Sequence, residues 1–308
     1  MKWSNNQTKV TEFILHGLSS KQEVQTALFT LFLVVYTLTL VGNTMIIVVV
    51  YSDLRLHKPM YILLCNLSFA EIWYTTSTVP NMLYSYLSKN KAISFKGCIL
   101  QFYFFFSFGT TECFLLTVMG YDRYLAICQP LRYNVLMSSR ICVGLATSCW
   151  IAGFFWFVIP IILISKLPFC GLNEINHFLC DPGSLLELSC LRDYATETTS
   201  STCSSLLLLS TFSFTVISYV FILRTVVKIP SSSGRHKAFS TCASHLIVVT
   251  MFFGCVMFMY MRPSGNHPFY VDKVVAVLYT IVTPLLNPVI YSLRNKEFLE
   301  SAKKVLSF

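Results

Sequence analysis

Along this chain, long stretches of apolar residues alternate with short polar connections. Four stretches carry no charged residue at all: 27–52, 141–165, 198–223 and 274–293. A fifth, 238–261, is interrupted only by His245, and two more, 60–88 and 97–121, hold one carboxylate each, Glu71 and Glu112. A helix crosses a hydrocarbon core of about 30 Å with about 20 apolar residues. The pattern therefore predicts an all-α membrane protein, a bundle of seven transmembrane helices over 27–293. Barrel strands would alternate in character over about ten residues, and these runs are too long and too uniform for that. Residues 1–26 are expected as a polar N-terminal segment and 294–308 as a tail. Within the tail Phe298, Ala302, Val305 and Leu306 fall on one helical face, away from the charges, which predicts a short amphipathic helix on the membrane surface.

Composition agrees with this picture. The 308 residues are 55% hydrophobic and 12% charged, with a mean hydropathy of +0.63, whereas soluble domains carry about 25% charged residues. A disordered chain and a single water-soluble globule are both excluded. The net charge of +9 comes from basic residues that form no continuous block, so nucleic acid is not implied. The 12 cysteines are scattered through apolar runs and lack CxxC pairs, which argues against a disulfide scaffold and a zinc centre. No HExxH, phosphate-cradling glycine loop, dinucleotide fingerprint or GxSxG is present, so no catalysis and no organic cofactor are expected. A transporter or channel, the reading from another class, would need inverted repeats or a polar pore lining; neither is visible.

Orientation follows from the connections. With the N-terminus outside, the inner segments hold Arg55, Lys58, Arg123, Arg132, Arg140, Arg224, Lys228, Arg235, Lys237, Arg294, Lys296, Lys303 and Lys304 against Asp53, Asp122, Glu297 and Glu300. Only Lys and Arg count toward the bias of cytoplasmic loops, and the margin is narrow, 13 inside against ten outside; two further features agree with it. Asn6-Gln7-Thr8 is a glycosylation acceptor, and Cys170, Cys180 and Cys190 in the connection after the fourth span suit an oxidising compartment. With Cys98 at the start of the third span, four outward cysteines permit three pairings. The first residues lack a cleavable signal, so the first span is expected to act as a signal anchor. The expectation is a multi-pass plasma-membrane protein with a cytoplasmic C-terminus. Asn66-Leu67-Ser68 is a second sequon, but it lies inside a span.

Four groups of residues carry candidate chemistry. Asp122-Arg123-Tyr124 ends the third span; such a pair can close on itself, or open and offer its guanidinium to a partner's carbonyls. Pro284 and Pro288, in Pro284-Leu285-Leu286-Asn287-Pro288-Val289-Ile290-Tyr291, remove backbone donors and make the seventh span deformable. Glu71 and Glu112 each cost about 2.5–3.5 kcal/mol at membrane depth, which marks them as functional. On the third helix Phe102, Phe105, Phe106, Gly109, Thr110 and Cys113 recur at helical spacing, and Gly109 leaves a gap beneath the phenylalanines.

These motifs resemble those of rhodopsin-like G protein-coupled receptors, and longer strings narrow the resemblance to odorant receptors. Leu56-His57-Lys58-Pro59-Met60-Tyr61 is similar to LHTPMY, Met119 to Cys128 to MAYDRYVAIC, and Pro284 to Asn295 to PxLNPxIYSLRN. Lys237-Ala238-Phe239-Ser240-Thr241-Cys242-Ala243-Ser244-His245-Leu246 reproduces KAFSTCASHL. Departures are Lys58, Gly120, Leu125, Gln129 and Phe253.

The resemblance implies a small volatile ligand in an outer cavity and, as partner, a stimulatory olfactory-type G protein that raises cyclic AMP. It adds Cys203, Ser204, Leu207, Val256, Met257, Tyr260 and Thr280 to the ligand-contacting residues of the third helix. It implies a switch built from Asp122, Arg123, Tyr124, Tyr219, Lys237, His245, Asn287, Pro288 and Tyr291. It also implies Cys98–Cys180 and Cys170–Cys190 disulfides, and a sodium ion held by Glu71 and Glu112 with Asn43 and Asn287 nearby. Two protonated carboxyls sharing hydrogen bonds are the alternative to that ion. No acid stands at Phe105 or Phe106, so an amine has no salt-bridge anchor there. A receptor of the same fold for a non-odorant ligand outside the nose is the second reading.

Overall fold

The computed structural model describes residues 10–19, 21–88, 91–169, 173–191, 193–261, 269–293 and 295–306. A strand, β1 (Glu12–Leu15), precedes the first helix, α1 (Gln22–Ser52), and a 3₁₀ turn, Leu54–Leu56, leads into α2 (Pro59–Thr76) and α3 (Val79–Leu87). Strand β2 (Ala92–Ser94) runs into α4 (Phe95–Cys128), followed by α5 (Tyr133–Leu136), α6 (Ser139–Trp156) and α7 (Val158–Ser165). After β3 (Glu174–Ile175) and α8 (Pro182–Glu187) come α9 (Tyr194–Val227), α10 (Ser232–Tyr260) and α11 (Phe269–Val277). A π-helical turn, Leu278–Val282, joins α11 to α12 (Thr283–Leu293), and α13 (Lys296–Leu306) closes the chain.

Among the described residues, six segments are long and apolar enough to span a bilayer by themselves. The seventh expected span, 60–88, is there as two shorter helices. Pro80 cannot donate to Thr76, and its ring would strike that carbonyl, so the helix breaks at Ser77–Thr78. The Ser77 hydroxyl takes up the freed Tyr74 carbonyl at 2.6 Å. Pro160 breaks the fourth span at Phe157 for the same reason. In the seventh span the π turn precedes Pro284, and the Pro284 carbonyl that Pro288 cannot serve accepts from Asn43 Nδ2 at 3.3 Å. The prolines thus set the helix directions, and side chains satisfy the carbonyls they release.

Helix α4 is the most enclosed span. Around it, large apolar side chains point outward, among them Leu31, Val34 and Leu38 of α1 and Phe214 of α9. Water would penalise that surface; a bilayer stabilises it.

The N-terminal segment was expected only as a polar tail, yet it forms the middle strand of a small sheet. β1 pairs antiparallel with β2, Phe13 opposite Ile93, and parallel with β3, Ile14 opposite Glu174. Phe13 is fully buried and packs on Phe95 and Phe169. This sheet marks one end of the bundle.

At the opposite end α13 docks on the protein as well as presenting a surface. Phe298 and Ala302 are buried, Val305 is half-buried, and the Leu306 side chain lies outside the described residues. Ser301 Oγ donates to Asp53 at 2.7 Å, Lys58 Nζ meets Glu297 at 2.5 Å, and Asn295 Nδ2 donates to the Tyr61 hydroxyl at 2.7 Å. Hydrogen bonds from Arg55, then from Ser301, hold the Asp53 carboxyl well below the usual carboxylate range.

Candidate functional site

Toward the sheet end, residues from α2, α4, α9, α10 and the π turn surround a mainly apolar cavity of about 40 Å³. Of the residues expected at a ligand, Phe105, Phe106, Gly109, Thr110, Cys113, Ser204, Leu207, Val256 and Tyr260 line it. Phe102, Cys203, Met257 and Thr280 do not. Phe102 is buried edge-on against Phe106, with ring centres 4.9 Å apart. The Cys203 carbonyl accepts from Trp156 Nε1 at 3.1 Å, so that turn serves α6. Met257 is half-buried beside the wall, and the Thr280 hydroxyl is spent on the Ala276 carbonyl at 2.6 Å.

Tyr74, Phe157, Leu208, Phe252 and Tyr279 complete the lining and were not anticipated. Aromatic rings dominate it: Tyr74 stacks on Phe105 at 4.7 Å, and Phe106 meets Phe157 at 5.0 Å and Tyr260 at 5.5 Å. A Cβ on Gly109 would stand 3.2 Å from the Tyr74 ring, so glycine there lets that ring close the wall. The volume is far below the roughly 300–1,000 Å³ of ordinary ligand pockets. Admitting even a small organic molecule requires these rings to move.

Three polar groups roof the cavity. The Tyr260 hydroxyl donates to Asp181 Oδ1 at 3.2 Å and lies 2.9 Å from the Tyr279 hydroxyl. Asp181 caps α8 by accepting from the Gly183 N–H at 2.9 Å, and burial pushes its carboxyl up to about 6 against the pull of these hydrogen bonds. Its neighbour Cys180 is bonded to Cys98 at the start of α4, and the Cys180 N–H donates to Gln101 Oε1 at 3.0 Å. The loop is thereby pinned over the cavity. Cys190 is also disulfide-bonded, while Cys170 and the Asn6 acceptor lie outside the described residues.

Deeper in the bundle Glu71 and Glu112 are completely buried. Asn287 Nδ2 donates to Glu71 Oε1, and Asn43 Nδ2 is used by the Thr39 and Pro284 carbonyls. Among the described residues Glu71 Oε2, both Glu112 oxygens, Asn43 Oδ1 and Asn287 Oδ1 have no hydrogen-bond donor. Buried oxygens are ordinarily satisfied, so this cluster wants protons or a hard cation, which takes oxygen ligands. The donor set fits a monovalent cation. No grouping of three or more His, Cys, Asp or Glu suited to a metal occurs among the described residues.

At the α13 end Arg123 pairs with Asp122 at 3.1 Å, with both side chains largely buried, and the Tyr133 hydroxyl donates to Asp122 at 2.7 Å. The pair is closed. Tyr124 packs on Phe221 of α9, ring centres 5.8 Å apart. His245 joins three helices: its Nε2 lies 3.0 Å from the Leu116 carbonyl of α4 and its Nδ1 2.7 Å from the Tyr219 hydroxyl of α9. A carbonyl only accepts, so Nε2 carries the proton and Nδ1 accepts from Tyr219. The Tyr291 hydroxyl is buried with no hydrogen-bond partner among the described residues. Gly42 lets Pro288 approach α1, since a Cβ there would stand 3.1 Å from the proline ring. The Lys237 side chain lies outside the described residues.

Comparison with known proteins places this geometry. A family model described as "Olfactory receptor" matches residues 32–308. Olfactory receptor 11H6 of Homo sapiens is 52% identical over 297 residues, covering 96% of this chain and 90% of that protein. Olfactory receptor 11G2 of Homo sapiens is 54% identical over 300 residues, covering 97% and 87%. Olfactory receptor 5AP2 of Mus musculus is 50% identical over 303 residues, covering 98% and 96%.

Proposed function

Since the chain belongs to the olfactory receptor family of G protein-coupled receptors, which are not enzymes, we propose that it binds a small volatile molecule in the aromatic cavity. Binding then activates a stimulatory, olfactory-type G protein and raises cyclic AMP. The sheet end faces outside and α13 faces the cytoplasm in this reading.

The observation that carries the reading is one helix serving both ends. α10 contributes Phe252, Val256 and Tyr260 to the cavity and His245 to the three-helix junction. Val256 and His245 are separated by about 16 Å at 1.5 Å per helical residue. A ligand that pushes the rings apart favours bundle states in which α10 has moved, and it biases them by no more than its differential affinity. Movement of α10 breaks the His245 bonds to Leu116 and Tyr219, frees the α9–α10 face and lets Arg123 leave Asp122 for the G protein. In that open state Tyr291, now without a bond, and the basic stretch of α9 and α10 become available partners. The ligand itself needs a compact apolar body, with one polar atom for the Tyr260 and Tyr279 hydroxyls.

The Glu71–Glu112 cluster would hold a sodium ion through the oxygens that lack donors, with Asn43 and Asn287 oriented by the backbone bonds above. That ion would supply the compensating charge that makes the closed bundle stable.

A cyclic-AMP reporter screen against a chemically diverse odorant panel tests the proposal. Wild type should respond to at least one odorant, and Arg123→Ala should abolish the response at equal surface expression. A response that survives Arg123→Ala overturns the assigned coupling route.

A further inference from the structure

A second, wider cavity of about 420 Å³ opens at the sheet end, away from the aromatic one. Its walls come from the strap after β1 (His16 to Ser19), the start of α1, the residue before β2, the loop after β3 and α11. Three ammonium groups, those of Lys21, Lys91 and Lys273, belong to these walls.

Lys273 is nine-tenths buried. Its Nζ donates to the His16 carbonyl at 3.1 Å, the Gly17 carbonyl at 2.9 Å and Asn176 Oδ1 at 2.9 Å. All three acceptors are neutral, so its hydrogen bonds are complete while its charge is not. Of the carboxylates nearby, Glu174 meets His16 at 3.0 Å. The Lys273 charge also reaches His177, which is buried and neutral. Among the described residues the Lys21 and Lys91 ammonium groups have no hydrogen-bond or ion-pair partner.

A buried charge is stabilised when paired, and three like charges around one concavity focus an attractive field on anions. We propose that this vestibule binds a small organic carboxylate, a dicarboxylate in preference to a monocarboxylate. The volume exceeds what a halide or phosphate fills, and Leu18 gives a carbon skeleton something to rest on. Lys21 and Lys91 supply free donors to the carboxylates, and Lys273 contributes charge from below. The site stands on the N-terminal strap and α11, so it is separate from the aromatic cavity and does not depend on G protein coupling.

The test uses the full-length receptor in uncharged phosphatidylcholine nanodiscs, with labelled succinate as probe and succinamide and inorganic phosphate as comparators. Succinate should bind, bind better than either comparator, and weaken as salt rises, because exposed charges are screened. Lys21→Gln and Lys91→Gln should each weaken binding about two- to five-fold, the range of partly exposed ion pairs. Neither lysine side chain holds another residue, so both variants should fold. Three outcomes would overturn the proposal: no succinate binding up to about 1 mM, the weakest affinity on the usual scale; equal binding of succinamide or phosphate; or unchanged binding in the Lys21→Gln/Lys91→Gln double variant.

Discussion

Replacing Gly153 with alanine places a methyl group at the tightest contact between α6 and α4. A Cβ there would overlap Thr111 Oγ1 and stand 3.0 Å from both the Ser107 carbonyl oxygen and Thr111 Cα. Two of those atoms are backbone. The third belongs to a fully buried threonine whose hydroxyl is bonded to the Ser107 carbonyl at 2.8 Å. Nothing can rotate aside, so α6 must move outward and loosen Trp150 and Phe154 from Phe108. Overpacking of this kind costs about 1–3 kcal/mol, against a gain of about 0.5–1 kcal/mol for removing a helical glycine. With all three contacts at or below 3.0 Å the cost lies in the upper half of its range, so the net loss is about 1–2.5 kcal/mol, or several degrees in thermal midpoint at about 2–4 °C per kcal/mol.

Gly120 of α4 is the internal control. A Cβ there would lie 3.5 Å from His245 and 3.7 Å from Thr215, ordinary contact distances, so Gly120→Ala should keep the helical gain and raise the midpoint. Alanine also stands at this position in the family string that residues 119–128 resemble. Thermal unfolding of purified protein, followed by tryptophan fluorescence, separates the two variants. If Gly153→Ala is as stable as wild type, or Gly120→Ala is less stable, the helix packing described here is wrong.

Other perturbations probe the remaining sites. Burial pushes the Asp181 carboxyl up to about 6 in the folded protein, above its ordinary value, so protonation favours folding. The thermal midpoint of wild type relative to Asp181→Asn should rise as pH falls from 7 toward 5, and parallel profiles would contradict this. Tyr219→Phe strands His245 Nδ1 inside the bundle and should cost about 1–3 kcal/mol of stability; a cost near zero would remove His245 from the junction. With sodium at ten times its dissociation constant, the wild-type midpoint should exceed that in choline by an amount equal to about 1.4 kcal/mol. Glu112→Gln should erase that difference, and equal sodium sensitivity of both proteins would rule out the ion site.

The membrane spans were legible because lipid leaves a chain few options: every backbone group must bond internally, so apolar runs become helices. The breaks at Thr78 and Phe157 were not, because Pro80 and Pro160 sit inside uniformly apolar runs that read as single spans. The α4 side of the cavity was legible too, since Phe105, Phe106, Gly109, Thr110 and Cys113 lie on one helix with one known period. Tyr74, Phe157, Phe252 and Tyr279 were not, because their facing depends on how each kinked neighbour rotates, and local spacing does not encode that. Phe157 is the clearest case, as it enters the cavity from the break itself. The sheet was missed for a different reason. Glu12–Leu15 is four residues long, and its partners lie at Ala92–Ser94 and Glu174–Ile175, so no local pattern announces the pairing. Whether Asp122 and Arg123 stand closed is likewise a tertiary property, decided by Tyr133 and the surrounding burial.

The most direct test of signal transfer is nucleotide exchange on a purified stimulatory G protein, driven by the receptor in nanodiscs with an odorant from the screen. Wild type should accelerate exchange on odorant addition. Phe252→Trp, which fills the cavity without touching Arg123, should lose the odorant response yet keep binding the G protein. Acceleration by odorant that is undiminished in Phe252→Trp would contradict the claim that occupancy of this cavity is what the inner end reads.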